Sequence, residues 1–176
     1  PASPAQKHFW FIQNLNPNSV QYSMPLAIRI KGHFKESIAE KVLIELINRH
    51  ETLRTNIVKG ESGDLFQEIK KTFSFLLDFH DLMDENSQSK QLNIVQNIID
   101  VDSATPFDLE RHLMLRATFV RLDIDDAVLI LNMHHVAVDG WSMRVLVDEF
   151  SQLYEDFRKN QISSLIPLNI QYADYI

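Results

Sequence analysis

The stretch Ala127–Met143, AVLILNMHHVAVDGWSM, passes from one local pattern to another within a few residues. Ala127 to Met133 is an apolar run of strand length, broken only by Asn132. Two adjacent histidines follow, and then Asp139-Gly140. From about Ser142 to Lys159 the period changes, with Leu146, Phe150, Leu153 and Phe157 forming the inward stripe of a helix. The reading is therefore a buried strand, a turn and an amphipathic helix, with two imidazoles and a carboxylate at the junction. Asp139-Gly140 alone reads as turn chemistry, with Asp as a helix cap and Gly at positive φ.

Outward from this junction the chain mixes strands and helices without strict alternation. Ser3-Pro4-Ala5-Gln6 is a helix start with Ser3 as cap and Gln6 as its capping-box partner, and that helix ends by Asn16-Pro17. Leu26, Ile28 and Ile30 alternate with Ala27, Arg29 and Lys31 as a half-buried strand. Ser37 to His50 carries Ile38, Val42, Leu43, Leu46 and Ile47 on one helical face. Leu53–Val58 and Leu65–Ile69 flank a Gly60–Asp64 turn as a hairpin. Phe73 to Phe79 reads as a further strand and Ser87 to Val101 as a helix. Leu113–Leu122 pairs with Ala127–Met133 across the short Asp123–Asp126 connection. The fold class this implies is an α/β two-layer sandwich.

Bulk properties exclude several functions. The chain has 176 residues, enough for one domain with a sizeable core, and a net charge of -7. Its 17 basic residues are scattered, whereas nucleic acid or an anionic membrane surface calls for a concentrated basic face. With no cysteine, disulfides, thiolate catalysis and cysteine-based zinc sites are absent. No apolar run spans a bilayer and no signal-peptide pattern opens the chain, so a cytoplasmic location is the expectation. The chain starts at Pro1 without Met and stops without a polar tail, as would a piece of something longer.

The chemistry of the junction narrows by elimination. Successive strand side chains point to opposite faces, so His134 and His135 do not converge on one metal ion, and no metal site is expected. Gly140-Trp141-Ser142-Met143 is not a nucleophile elbow. Acid-base work by one imidazole remains, because an unperturbed histidine titrates close to neutral pH. The other histidine would be a hydrogen-bonded, structural one.

His134-His135 to Asp139-Gly140 resembles the H-H-x-x-x-D-G signature of condensation domains of non-ribosomal peptide synthetases, within the chloramphenicol-acetyltransferase-like superfamily. Arg49–Thr55 (RHETLRT) resembles the family's R-H-E-x-L-R-T segment. Ser3–Phe11 is similar to its opening S-x-A-Q-x-x-x-W-F segment, and Asn169–Tyr175 to its Q-Y-A-D-Y string. Departures are Lys7-His8-Phe9, where arginine and leucine are commoner, and Ile57 in place of phenylalanine.

The resemblance covers residues 1–176 and implies one lobe, the N-terminal one, of a V-shaped two-lobe domain whose C-terminal lobe lies outside this chain. It implies transfer of an acyl or peptidyl group from a donor carrier-protein thioester to the amine of an acceptor aminoacyl thioester. Carried over, the catalytic set is His135, His134, Asp139 and Gly140. His135 accepts a proton from the attacking amine or positions that amine. Asp139 is a structural carboxylate held by an arginine, either Arg54 or one of the second lobe. Gly140 leaves room for the thioester or its pantetheine arm. Trp141 and Ser142 border the substrate, with Ser142 as an oxyanion donor. No cofactor binds directly, and 4'-phosphopantetheine arrives on the carriers. Partners implied are donor and acceptor peptidyl carrier proteins, adjoining adenylation and carrier domains and the missing lobe. Two other readings remain beside this one: a carrier-docking module without turnover, and a coenzyme A-dependent acyltransferase.

Overall fold

A computed structural model describes residues 1–176. In chain order the elements are α1 (Pro4–Leu15), β1 (Ser23–Lys31), α2 (Glu36–Arg49), β2 (Thr55–Lys59), β3 (Leu65–Ile69), β4 (Asp78–Asp81), α3 (Gln88–Ser103), β5 (Leu115–Asp123), β6 (Asp126–His134) and α4 (Gly140–Arg158), with one-turn 3-10 helices at Glu51–Arg54 and Tyr172–Tyr175. A four-stranded sheet has the order β1-β6-β5-β4, and β2-β3 is a separate ribbon. Strands β1, β6 and β5 run antiparallel, while β4 joins β5 in parallel.

Strand β6 lies between β1 and β5, and all but the first of its nine residues are buried. That explains why it reads as a mostly apolar run, not as an alternation. Met133, Leu131, Leu129 and Ala127 face α2 and α4 in the largest core cluster, with Leu43, Leu46, Ile47, Leu146 and Leu153. The reverse face of the sheet is closed by α3 through Val95, which packs with Val120, Val128 and Ile130. The α/β architecture thus stands, with sheet and α2/α4 as its main pair of layers and α3 added behind.

Most elements match the sequence reading within two or three residues. The Ser3/Gln6 capping box forms with both reciprocal bonds, at 2.9 and 3.1 Å. Three readings change. The run Phe73–Phe79 is not a strand as a whole, because only Asp78–Asp81 finds a ladder partner. Phe73 and Phe75 pack on the core instead, and the Leu77 amide donates to Glu40 Oε1 at 3.0 Å. Leu53 belongs to the 3-10 turn, buried beneath it, so β2 starts at Thr55. Helix α4 starts at Gly140, before Ser142, and Gly140 does not take positive φ.

Candidate functional site at the end of strand β6

The strand end is fixed from both sides by its backbone. The His134 amide donates to Met114 O at 3.2 Å and the His135 amide to Tyr22 O at 2.9 Å. Residues 135–137 then turn, Val138 is buried, and Asp139 caps α4. The junction therefore presents its side chains from a rigid strand and a rigid helix.

The two histidines part at once. His134 is 3% exposed. Its Nδ1 accepts from the Val136 amide at 3.0 Å, so in the neutral ring the proton resides on Nε2. Burial, aided by the neighbouring His135, pushes its pKa from 6.5 down to about 4. Phe9 and Phe107 pack edge-on against this ring at 5.8 and 5.7 Å between centroids. His135 is exposed. It stacks against Phe9, with 5.8 Å between the rings and an interplanar angle of 26°. One aromatic side chain of α1 thus braces both imidazoles. Sequence reasoning misses Phe9, because Phe9, Trp10 and Phe11 are consecutive and no periodicity singles one out.

Asp139 Oδ1 accepts from the Ser142 amide and the Ser142 hydroxyl, each at 2.7 Å. These bonds hold its carboxyl below the usual carboxylate range. The arrangement is an N-cap, with Asp139 and not Ser142 as the cap. Arg54 does not reach Asp139. Its guanidinium donates to Ile47 O, Asn48 O and Lys70 O at 3.2, 3.2 and 2.8 Å. It closes the C-terminal end of α2, where carbonyls lack helical partners. Ser142 Oγ, read as an oxyanion donor, has its proton engaged by Asp139. A Cβ added to Gly140 would meet nothing within 4 Å, and Trp141 is 78% exposed.

The segments that carry the resemblance meet beside this junction. Gln171 Nε2 donates to Arg49 O at 2.9 Å and its Oε1 accepts from the Glu51 amide at 3.2 Å. Tyr172 OH donates to Ser3 Oγ at 3.0 Å. Glu149 of α4 accepts from Arg49 Nε at 3.1 and 3.2 Å and lies 2.6 Å from His50 Nε2. This cluster is not legible in the sequence, where Glu149 reads as one more charge on a helix. No helix is long and apolar enough to cross a membrane.

A family model described as Condensation domain matches residues 1–176. The chain is 41% identical over 175 residues to one of the linear gramicidin synthase proteins of Brevibacillus parabrevis, covering 99% of the chain and 3% of that protein. It is 37% identical to chondramide synthase cmdD of Chondromyces crocatus, covering 99% of the chain and 4% of that protein. Bacitracin synthase 2 of Bacillus licheniformis is 35% identical over 175 residues, 99% of the chain and 6% of that protein. Among solved structures, the starter condensation domain of rhizomide synthetase RzmA superposes with a TM-score of 0.85 at 20% identity, over 94% of this chain and 40% of that one. The first condensation domain of the calcium-dependent antibiotic synthetase, in complex with a substrate analogue, also gives 0.85, at 21% identity over 96% and 40%. At these identities the superpositions show the fold alone. The chain spans a few per cent of the length of the curated relatives it matches.

Proposed function

The chain belongs to the condensation domain family, and from that premise we propose that it is the N-terminal lobe of a two-lobe domain that forms amide bonds between carrier-bound thioesters. The donor is an acyl or peptidyl thioester and the acceptor an aminoacyl thioester, both on phosphopantetheine arms of peptidyl carrier proteins. Its setting is a cytoplasmic synthetase with adjoining adenylation and carrier domains.

The observation that carries this reading is the division between the two histidines. His134 is buried, neutral and hydrogen-bonded to backbone. His135 is exposed at a fixed strand end, beside a glycine whose surroundings are open. His135 is thus the imidazole available to an amine arriving from outside the lobe. Its part is to accept the amine's proton or to hold the amine against the thioester carbonyl. The amine nitrogen forms the new C–N bond, the thioester C–S bond breaks, and the proton released by nitrogen goes to the leaving thiolate. His134 supports the strand end, and Asp139 sets the first turn of α4. Gly140 gives the pantetheine arm space. Trp141 borders the path.

The test supplies the intact domain with an acyl group on a donor carrier and an aminoacyl group on an acceptor carrier. Mass spectrometry then follows the acceptor thioester. The expected product is the acceptor carrier heavier by the acyl group. No product, or equal transfer from the coenzyme A thioester with no donor carrier present, would overturn this reading. The latter outcome would favour the coenzyme A-dependent one.

A further inference from the structure

On the sheet face that α3 closes, behind the histidine turn, one arginine is tied to a single short segment. Arg116 of β5 pairs in the ladder with Asn132, which precedes His134 by two residues and shares its face of β6. Arg116 Nε donates to Asp102 Oδ1 at 2.8 Å, and Nη2 to Asp102 O and Thr105 O at 3.0 and 2.8 Å. Nη1 donates to Pro106 O at 3.3 Å. Every acceptor lies within residues 102–106, which lead out of α3 into Phe107. The guanidinium carbon also stands 4.0 Å from the centre of the Phe107 ring. A planar fork can meet several oxygens and stack on an aromatic face at once, which an ammonium does not reproduce.

Phe107 joins this clamp to the junction. It is buried, and its ring meets that of His134 at 5.7 Å and 71°. It forms a small cluster with Leu109 and Met114, against which Val136 and Ala137 of the turn pack. Met114 of the same cluster accepts the His134 amide. Closing the end of α3 accounts for the carbonyl bonds of Arg116. The stack on Phe107 goes further than a helix end requires, because that ring seats His134. Arg121 offers a comparison on the same strand. It pairs with Glu36 and Asp81 and stacks on Phe79 at 5.0 Å, but at the end of β5 away from the histidines.

We propose that Arg116 is a positioning residue for the transfer reaction: acting through Phe107, it sets the seat of His134 and thereby the direction in which His135 leaves the strand. The proposal deepens the function proposed above and rests on it. Arg116 itself touches no reacting atom. Its effect on rate comes from placement, since a displacement of about 1 Å is enough to cost about 10²-fold.

The test assays the intact domain with loaded carriers as Arg116→Gln, Phe107→Leu, the two combined, and Arg121→Gln as a control of similar make-up. Arg116→Gln should lower kcat by about ten- to a hundredfold, with KM for either carrier nearly unchanged. Phe107→Leu should lower kcat as well. The double variant should fall no further than the worse single one, because the two side chains act as one unit. Arg121→Gln should lose melting temperature and keep its kcat. Histidine-selective NMR should move the His134 ring signals in Arg116→Gln and Phe107→Leu, and leave them in place in Arg121→Gln. A wild-type kcat in Arg116→Gln, losses that multiply in the double variant, or an equal kcat loss in Arg121→Gln would overturn the proposal. Should Arg116→Gln not fold, Arg116→Lys takes its place, keeping a cation over Phe107 but only a single ammonium for the oxygens. A lowered kcat at unchanged KM then supports the proposal, and a wild-type kcat overturns it. If the wild type condenses nothing, the proposed function falls first and the NMR comparison decides the rest. His134 signals moved by Arg116→Gln support the linkage, and unmoved signals overturn it.

Discussion

Strand β6 ends in polar side chains at both extremities, and the two ends are treated differently. At its start, Asp126 accepts from Arg29 Nε and Nη2 at 3.0 and 2.7 Å and from Lys31 Nζ at 2.6 Å. The bond from Arg29, with help from Lys31, holds its carboxyl at about 2. Asp126 and the two cations beside it are paired with one another. At the other end His135 and Trp141 are exposed and Gly140 opens on free space. One end is tied to β1 by ion pairs and the other keeps its groups available. The difference supports the proposal that the histidine end is the working end, on the same strand and with the same backbone support.

Substitutions can break or sharpen that contrast. The largest effect should come from His135→Ala in the intact domain. Amide formation should fall by about 10²–10⁴, the usual contribution of general acid-base catalysis, with the melting temperature nearly unchanged. A loss of turnover matched by a loss of fold would erase the contrast.

Next in size is His134→Ala. It removes a ring packed between Phe9 and Phe107 and leaves the Val136 amide without its acceptor. A loss of about 2–4 kcal/mol in denaturant unfolding is expected. The same ring makes stability depend on pH. Its pKa is depressed in the folded state, so the unfolded chain binds more protons below pH 6.5. The stabilisation from neutral His134 is therefore whole above about 6.5 and is lost as pH falls toward about 4. The drop in stability between those pH values should be shallower in His134→Ala than in wild type, and an identical slope would contradict the assignment.

Asp139→Ala removes the N-cap of α4 and its two bonds from Ser142, a loss of about 1 kcal/mol by urea unfolding. Asp126→Asn should do least. Its ion pairs lie at the surface, so a shift of no more than about 3 °C in melting temperature is expected, with turnover unchanged.

How far the sequence can be read follows the range of the interactions involved. The strand, turn and helix from Ala127 to Phe157 are legible because their signals are local: an apolar run, a cap, and a stripe at helical spacing. The Ser3/Gln6 cap is legible for the same reason. Phe73–Phe79 misleads because a run of aromatics looks alike whether it enters a ladder or packs onto a core. Only the presence of β5 beside Asp78–Asp81 decides which. At the site, the separate fates of His134 and His135 follow from strand alternation. Arg54 does not hold the carboxylate expected of it, because the carbonyls it caps become its neighbours only when α2 ends at Arg49. Phe9 lies more than a hundred residues from the histidines it braces, and Glu149 is 99 residues from His50. Pairings of that span leave no periodic trace.

The division of labour between the adjacent imidazoles is tested most directly by recording amide formation and thermal unfolding on the same preparations of His134→Ala and His135→Ala. A crossed pattern is expected, with the larger loss of melting temperature in His134→Ala and the larger loss of rate in His135→Ala. Transfer by His135→Ala at the wild-type rate would contradict it, and so would a melting temperature lowered more by His135→Ala than by His134→Ala.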